Sequence, residues 1–146
     1  MSKASAIAVE ITSRMQGISI ANGYATDIGA RVYRGKLRLD ETNLPCVVIV
    51  EGDDDSGSQQ IRNCRTEAIY MLEGHAVCDP DNPNDVGHLI VADLKKAIFS
   101  GDITFNKTVL ECRYAGRSIE PREAGLSLVA ASIEIAVSFV ENLAAP

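Results

Sequence analysis

The chain of 146 residues contains no tryptophan, and aromatic residues make up only 5% of it. Platforms that bind nucleic acids by stacking bases on exposed rings therefore have few candidate residues. Basic residues are also in the minority, since 14 Lys and Arg stand against 20 Asp and Glu, which gives a formal net charge of −6. Affinity for phosphates depends on clustered cations, so this balance disfavours a general binder of nucleic acids or anionic membranes.

Long hydrophobic runs are missing as well. No stretch approaches the ~20 apolar residues that a membrane-spanning helix needs. The segment Met1 to Met15 is interrupted by charged residues and lacks the apolar region of a secretory signal peptide. The sequence therefore predicts a protein of the cytoplasm with no membrane partner.

Residues with catalytic or metal-binding chemistry are few. Glycine-rich phosphate loops do not occur, and nothing in the sequence places a nucleophile beside His75 or His88, the two histidines. The cysteines form no C-x-x-C pair of the kind that zinc sites use, which predicts reduced, mostly buried thiols. They are Cys46, Cys64, Cys78 and Cys112. The sequence thus predicts no catalytic residue, no cofactor and no metal site, and it argues against an enzyme.

The hydrophobic pattern predicts a single α+β domain over residues 1–146. Apolar residues at helical spacing predict two helices, one at Ser5–Gln16 and one that starts at Asn82–Pro83 and stops at Gly101. Apolar runs and period-two patterns predict strands at Thr26–Arg34, Cys46–Val50, Arg62–Cys78, Thr108–Ser118 and Leu126–Glu141. We expect one mostly antiparallel sheet of about five or six strands, with two helices packed on it and a long C-terminal β-hairpin.

The last predicted strand is long for a protein of this size. Sixteen extended residues span about 53 Å at ~3.3 Å per residue, whereas a chain of this length folds to a diameter of about 38 Å. We therefore expect the final hairpin, with its turn at residues 120–125, to bend, break or project. A projecting hairpin exposes strand edges that need a partner, which favours self-assembly.

The segment Glu51–Gln60 is the most polar of the chain and centres on three consecutive aspartates. A calcium loop of the EF-hand type needs acidic or amide ligands at its first, third and fifth positions and Glu at its twelfth. Counted from Asp53, the fifth position is Gly57 and the twelfth is Cys64, so the motif fails. The segment is predicted to be a solvated loop. A charged rim that meets a partner, or that holds a loosely bound cation, is the alternative.

Several short segments, taken in order, carry a family resemblance. They are Asn22–Tyr24 with Asp27 and Gly29, Val32–Gly35, Leu44–Pro45, Ala92–Phe99, and Tyr114–Arg117 with Ile119 and Pro121, followed by the alternating final strand. Over residues 5–141 the chain resembles the tail-terminator proteins of long-tailed bacteriophages and related prophages.

The resemblance implies a structural protein of the virion that assembles in the host cytoplasm. Members of this family form a ring, typically a hexamer, on the head-proximal end of the tail tube. The implied partners are other copies of the chain, the tail tube protein and the head-completion or connector protein. DNA would pass through the channel without specific binding. Two alternatives stay open: a neck or head-closure protein that docks on the portal, and a small cytoplasmic binding module.

The resemblance also implies that polar strand residues act as an oligomer or tube interface. We expect these residues to be Glu51, Asp53, Asp54, Asp55, Glu111, Arg113, Arg117, Ser132 and Glu134. Period two places Glu111, Arg113 and Arg117 on one polar strand face. For Arg113 and Arg117, an interface role and a cross-strand pair on a solvated sheet face are equally good interpretations. Such a pair contributes roughly 0.2–1 kcal/mol.

Overall fold

The computed structural model describes residues 1–36, 38–121 and 127–146. The described chain contains two α-helices and five β-strands, with short 3₁₀ turns before β1 and before β2. The helices are α1 (Lys3–Gln16) and α2 (Pro83–Phe99), and the strands are β1 (Val32–Arg34), β2 (Cys46–Gln60), β3 (Asn63–Val77), β4 (Glu111–Pro121) and β5 (Leu128–Asn142).

The five strands form one sheet in the order β1-β2-β3-β5-β4. Only β1 and β2 are parallel, and every other neighbouring pair is antiparallel. Strands β3 and β5 pair over fifteen residues each, from Asn63 opposite Asn142 to Val77 opposite Leu128. The predicted α+β fold, with a mostly antiparallel sheet and two packed helices, is confirmed.

Both helices pack on one face of the sheet because each has one apolar stripe. The stripe of α1 is Ile7, Ala8, Ile11 and Met15, all fully buried. Helix α1 begins after Ser2, whose hydroxyl accepts a hydrogen bond from the Ser5 backbone N–H at 3.1 Å. Helix α2 begins with Pro83, a residue suited to the first helical position. The face of the sheet that meets the helices therefore forms the core.

The final strand is an interior strand of the sheet. Strand β5 lies between β3 and β4, pairing with β3 along its whole length and with β4 from Val129 to Ser138. The expectation that β5 would leave its backbone open to a partner on the side away from β4 is therefore wrong, because β3 is as long as β5 and pairs with it from end to end. The predicted turn at residues 120–125 falls largely outside the described residues. The edges of the sheet lie elsewhere, on β4 at one side and, at the other, on the short β1 and the part of β2 beyond Ile49.

The acidic segment is a strand, not the predicted solvated loop. Strand β2 continues through Glu51 to Gln60 and turns at Ile61 into β3. Side-chain polarity does not prevent this, because the β3 backbone supplies hydrogen bonds whatever side chains the strand carries. The register shifts between Glu51 and Asp54 and again between Ser56 and Gln59.

The predicted strand Thr26–Arg34 is shorter than expected. Only Val32–Arg34 is extended, and Ile28–Ala30 forms a 3₁₀ turn. Gly29 causes the difference, because its N–H donates to the Ile18 carbonyl at 3.0 Å and its Cα packs against the chain that leaves α1. This contact turns the backbone before the strand begins.

Candidate interaction surfaces

The part of β2 beyond Ile49 is an exposed sheet edge. Strand β1 pairs only with Val47–Ile49, so beyond Ile49 no described strand lies against the outer side of β2. Every residue of Val50–Gln60 is exposed. Backbone N–H and C=O groups along such an edge can pair with another chain. We call Val50–Gln60 the β2 edge.

The β2 edge carries four carboxylates and no basic residue. They are Glu51, Asp53, Asp54 and Asp55. Within the described ranges, Glu51 has one ion pair, to Arg34 at 3.9 Å, and the three aspartates have none. Asp54 lies opposite Ala68, a core residue, and Asp55 lies opposite Glu67 on the other face. The carboxylates therefore flank this edge on both faces of the sheet.

The acidic residues of the β2 edge also affect a buried phenol. Burial of Tyr70, which is 3% exposed, raises its pKa to about 12, and the negative charges of Glu51 and Asp54 add to the shift. In the described part of the chain, no group of three or more His, Cys, Asp or Glu side chains could hold a metal ion. The acidic edge is thus a charged surface adjoining the core.

Strand β4 forms the opposite edge of the sheet. Arg113 and Arg117 are both exposed on it. The Nη2 of Arg113 lies 3.4 Å from the Oε1 of Glu67, which is on β3. Arg113 therefore reaches across β5 and forms the cross-strand pair that the sequence left open. Both side chains are half exposed, so this pair contributes little to stability.

Arg117 does not share a face with Glu111 and Arg113, contrary to the period-two prediction. The register of β4 on β5 shifts between Tyr114 and Gly116, and Arg117 lies opposite Ile133, a core residue. A β-bulge inserts one residue and reverses the alternation after it. Gly116 has a φ of 138°, which favours glycine. Among the described residues Arg117 has no ion pair.

An aromatic cluster that the sequence pattern did not single out lies beside the β4 edge. The Tyr114 ring is 39% exposed and meets the Phe99 ring edge to face, with 6.5 Å between centroids. The Lys95 ammonium lies 4.6 Å from the Tyr114 centroid. Leu110, just before β4, is 56% exposed. In the sequence, the spacing of Lys95 and Phe99 on one turn of α2 indicates only that these two side chains lie close together. The tertiary fold brings Tyr114 to them.

The sheet face opposite the helices is acidic. Ser132 and Glu134 lie on it, half-buried, opposite Glu73 and Met71 respectively. A shallow groove of about 220 Å³ on this face is lined by Met71, Glu73, His75, Ser118, Glu120, Ala130, Ala131 and Ser132. Glutamates on this face outnumber arginines. The arginines are Arg65 and Arg113, and the glutamates are Glu67, Glu73, Glu111, Glu120 and Glu134.

The two histidines are not brought together. His75 is buried in the acidic groove, with its Nε2 3.2 Å from the Glu73 Oε2. His88 is exposed on α2, which packs on the other face of the sheet. The four cysteines are buried and none forms a disulfide, as predicted. Burial raises the pKa of the Cys112 thiol to about 11, so this thiol is unreactive near neutral pH.

The predicted interface residues therefore fall on three surfaces. Glu51 and Asp53 to Asp55 lie on the β2 edge, and Ser132 and Glu134 lie on the acidic face. Glu111, Arg113 and Arg117 lie on the β4 edge. No helix within the described ranges is long and apolar enough to cross a membrane. In comparisons with known proteins, no family model and no curated protein matches the chain.

Proposed function

We propose that this chain is a structural protein of virion assembly, which forms a ring on the head-proximal end of a phage tail tube. The β2 edge carries the proposal: it has eleven exposed residues, and on its outer side no described strand pairs with them. A strand edge of this length promotes uncontrolled association unless a partner covers it. A closed ring of identical copies covers the edge of every subunit. The resemblance to tail terminators supplies the position at the end of the tube.

The acidic sheet face suits the lining of a channel for DNA. Its glutamates would meet the phosphates of a duplex that passes through, and like charges repel without adhesion. Six copies at −6 each would carry a formal charge of −36. The helices, which cover the opposite face, would then form the outside of the ring. Such a channel lets DNA move through without specific binding.

The two ends of the ring would meet different partners. One end would bind the last ring of tail tube protein and stop its polymerisation. The other end would bind the head-completion or connector protein. No chemical step is needed for this role, because the contacts themselves terminate growth and join the two structures.

The proposal is tested by mass measurement and negative-stain microscopy of the purified chain, alone and with tail tube protein. A chain of 15.7 kDa predicts a hexameric ring of about 94 kDa. We expect this species in solution or rings at one end of each tube. Monomers that never bind tube ends would contradict the proposal. Co-sedimentation with portal rings instead of tubes would favour a neck or head-closure protein.

A further inference from the structure

We infer that the β2 edge of each copy pairs with β4 of a neighbouring copy, so that one continuous sheet runs around the ring. The inference rests on the proposed ring and names the surfaces that close it. Both surfaces belong to the same sheet, at its two opposite margins. A contact between two different margins is heterologous, and repeated contacts of this kind close into a ring when the rotation fits.

The two margins agree in length. The β2 edge contains eleven residues, Val50–Gln60, and β4 also contains eleven, Glu111–Pro121. The short strand β1 pairs with only three residues of β2 and leaves the rest of its outer side accessible. Full overlap would therefore cover both margins, with neither strand left protruding.

The two margins also agree in direction. Strand β2 is antiparallel to β3, β3 to β5, and β5 to β4, so β2 and β4 run in opposite directions within one subunit. A rotation about an axis along the strands keeps these directions in every copy. The β2 edge of one copy would then meet β4 of the next in antiparallel fashion, the slightly more stable kind of ladder.

The charges of the margins are complementary. The β2 edge has carboxylates on both faces of the sheet, with Asp54 on the core side and Asp55 on the other. Strand β4 has cations on both faces, because the bulge directs Arg117 to the core side and leaves Arg113 on the other. In the register of full overlap, with Val50 across from Pro121, Asp54 lies across from Arg117. Such pairing orients the contact, and it disfavours contacts between two β2 edges or between two β4 strands.

One glutamate of β4 lies across from a carboxylate in this register, since Glu120 is opposite Glu51. The two side chains lie on different faces of the sheet, because Glu51 is on the core side with Tyr70 and Glu120 is on the other face with Ala130. Glu111 and Glu120 lie at or next to the two ends of the strand, whereas Arg113 and Arg117 lie between them. At full overlap Glu111 faces the Gln60 end of the β2 edge, which carries no charge from Ser56 to Gln60. In this register Asp54 therefore meets Arg117 directly, and Glu111 meets no carboxylate of the neighbour.

The test is a charge exchange at the paired positions. Asp54→Arg and Arg117→Asp each place like charges across the interface, and each should raise the concentration needed for assembly roughly tenfold or more. The double variant D54R/R117D restores opposite charges and should assemble as the wild type does. Arg62→Asp, at the hairpin tip and outside both margins, is the matched control and should assemble normally. Circular dichroism and thermal unfolding confirm that each variant is folded.

Covalent trapping provides a second readout. Mild oxidation of Asp54→Cys/Arg117→Cys should give a ladder of disulfide-linked oligomers on a non-reducing gel. The wild type, whose cysteines are all buried, and Asp54→Cys/Arg62→Cys should not form this ladder. Rings that persist in both single charge variants and show no trapping would overturn the inference but leave the proposed ring intact. A wild type that stays monomeric with tube protein present would overturn the ring itself.

Discussion

The carboxylate of Asp93, on α2, binds the backbone and side chain of Thr26. Its Oδ2 accepts hydrogen bonds from the Thr26 N–H at 2.8 Å and from the Thr26 hydroxyl at 2.6 Å. Its Oδ1 accepts a third from the Ala25 N–H at 3.0 Å. Asp93 is 4% exposed, so these donors replace the water that the buried carboxylate has lost. The bonds hold the chain that leads to β1 against α2.

Replacement of Asp93 by Asn should lower the free energy of unfolding by about 2–3 kcal/mol. The amide keeps the size of the carboxylate but loses its charge and one acceptor, and hydrogen bonds to charged groups contribute about 1.5–3 kcal/mol. Urea unfolding followed by circular dichroism measures the change. Asp81→Asn, at an exposed site before α2, is the control and should change stability by less than about 0.5 kcal/mol. Equal effects of the two variants would contradict this role of Asp93.

Tyr70 should make stability fall at alkaline pH. Its pKa is raised from 10.0 to about 12 in the folded chain by burial and by the charges of Glu51 and Asp54. The unfolded chain therefore loses this proton first, and the stabilisation is full below pH 10 and is lost as pH rises through 12. The expected loss is on the order of 2 kcal/mol. Cys112, with its pKa raised from 9.0 to about 11, contributes with the same sign from pH 9 upward.

Chemical unfolding at several pH values from 8 to 12 tests the contribution of Tyr70. In Tyr70→Phe the decrease in stability should be smaller, because the buried group no longer ionises. Tyr114→Phe removes a hydroxyl from the β4 edge, and the decrease should remain because Tyr70 is still present. If Tyr70→Phe follows the wild-type profile between pH 10 and 12, Tyr70 is not responsible.

Replacement of Ile61, at the tip of the β2–β3 hairpin, by glycine should increase the stability of the fold. It is a β-branched residue with a φ of 56°, and it is 92% exposed. Left-handed backbone is costly for such a residue and easy for glycine, so Ile61→Gly should stabilise the fold by about 1 kcal/mol. Val77→Gly, also an exposed β-branched residue but without a left-handed φ, should instead destabilise it. Thermal unfolding of both variants decides whether their signs differ.

Gly29 should tolerate no side chain. A Cβ at this position would lie 2.3 Å from the Met15 carbonyl oxygen and 2.5 Å from that of Ile18. These are backbone atoms that cannot rotate away, so Gly29→Ala should destabilise the protein by about 3 kcal/mol. Gly101→Ala is the matched control, since a Cβ there meets no heavy atom within 4 Å, and it should be nearly neutral. Comparable unfolding midpoints for the two variants would show that the chain after α1 can move aside.

Much of the architecture could be predicted from local pattern. The stripe of α1 and the Asn82–Pro83 start of α2 indicate helices because helical periodicity and capping are properties of neighbouring residues. The alternation in Leu126–Glu141 indicates a strand for the same reason. The prediction of a loop at Glu51–Gln60 was wrong, because polar residues are typical of loops. The strand forms there because the segment pairs with β3, and its own residues do not indicate that pairing.

The α+β class and both helices are specified locally, since they follow from the period and polarity of adjacent residues. The buried, reduced state of the cysteines follows from their spacing. Three features depend on the tertiary fold: β5 is an interior strand, Gly116 lies at a bulge that moves Arg117 to the core side, and the acidic residues line a sheet edge. Strand order and register are set by hydrogen bonds between segments far apart in the chain, and no local pattern specifies them.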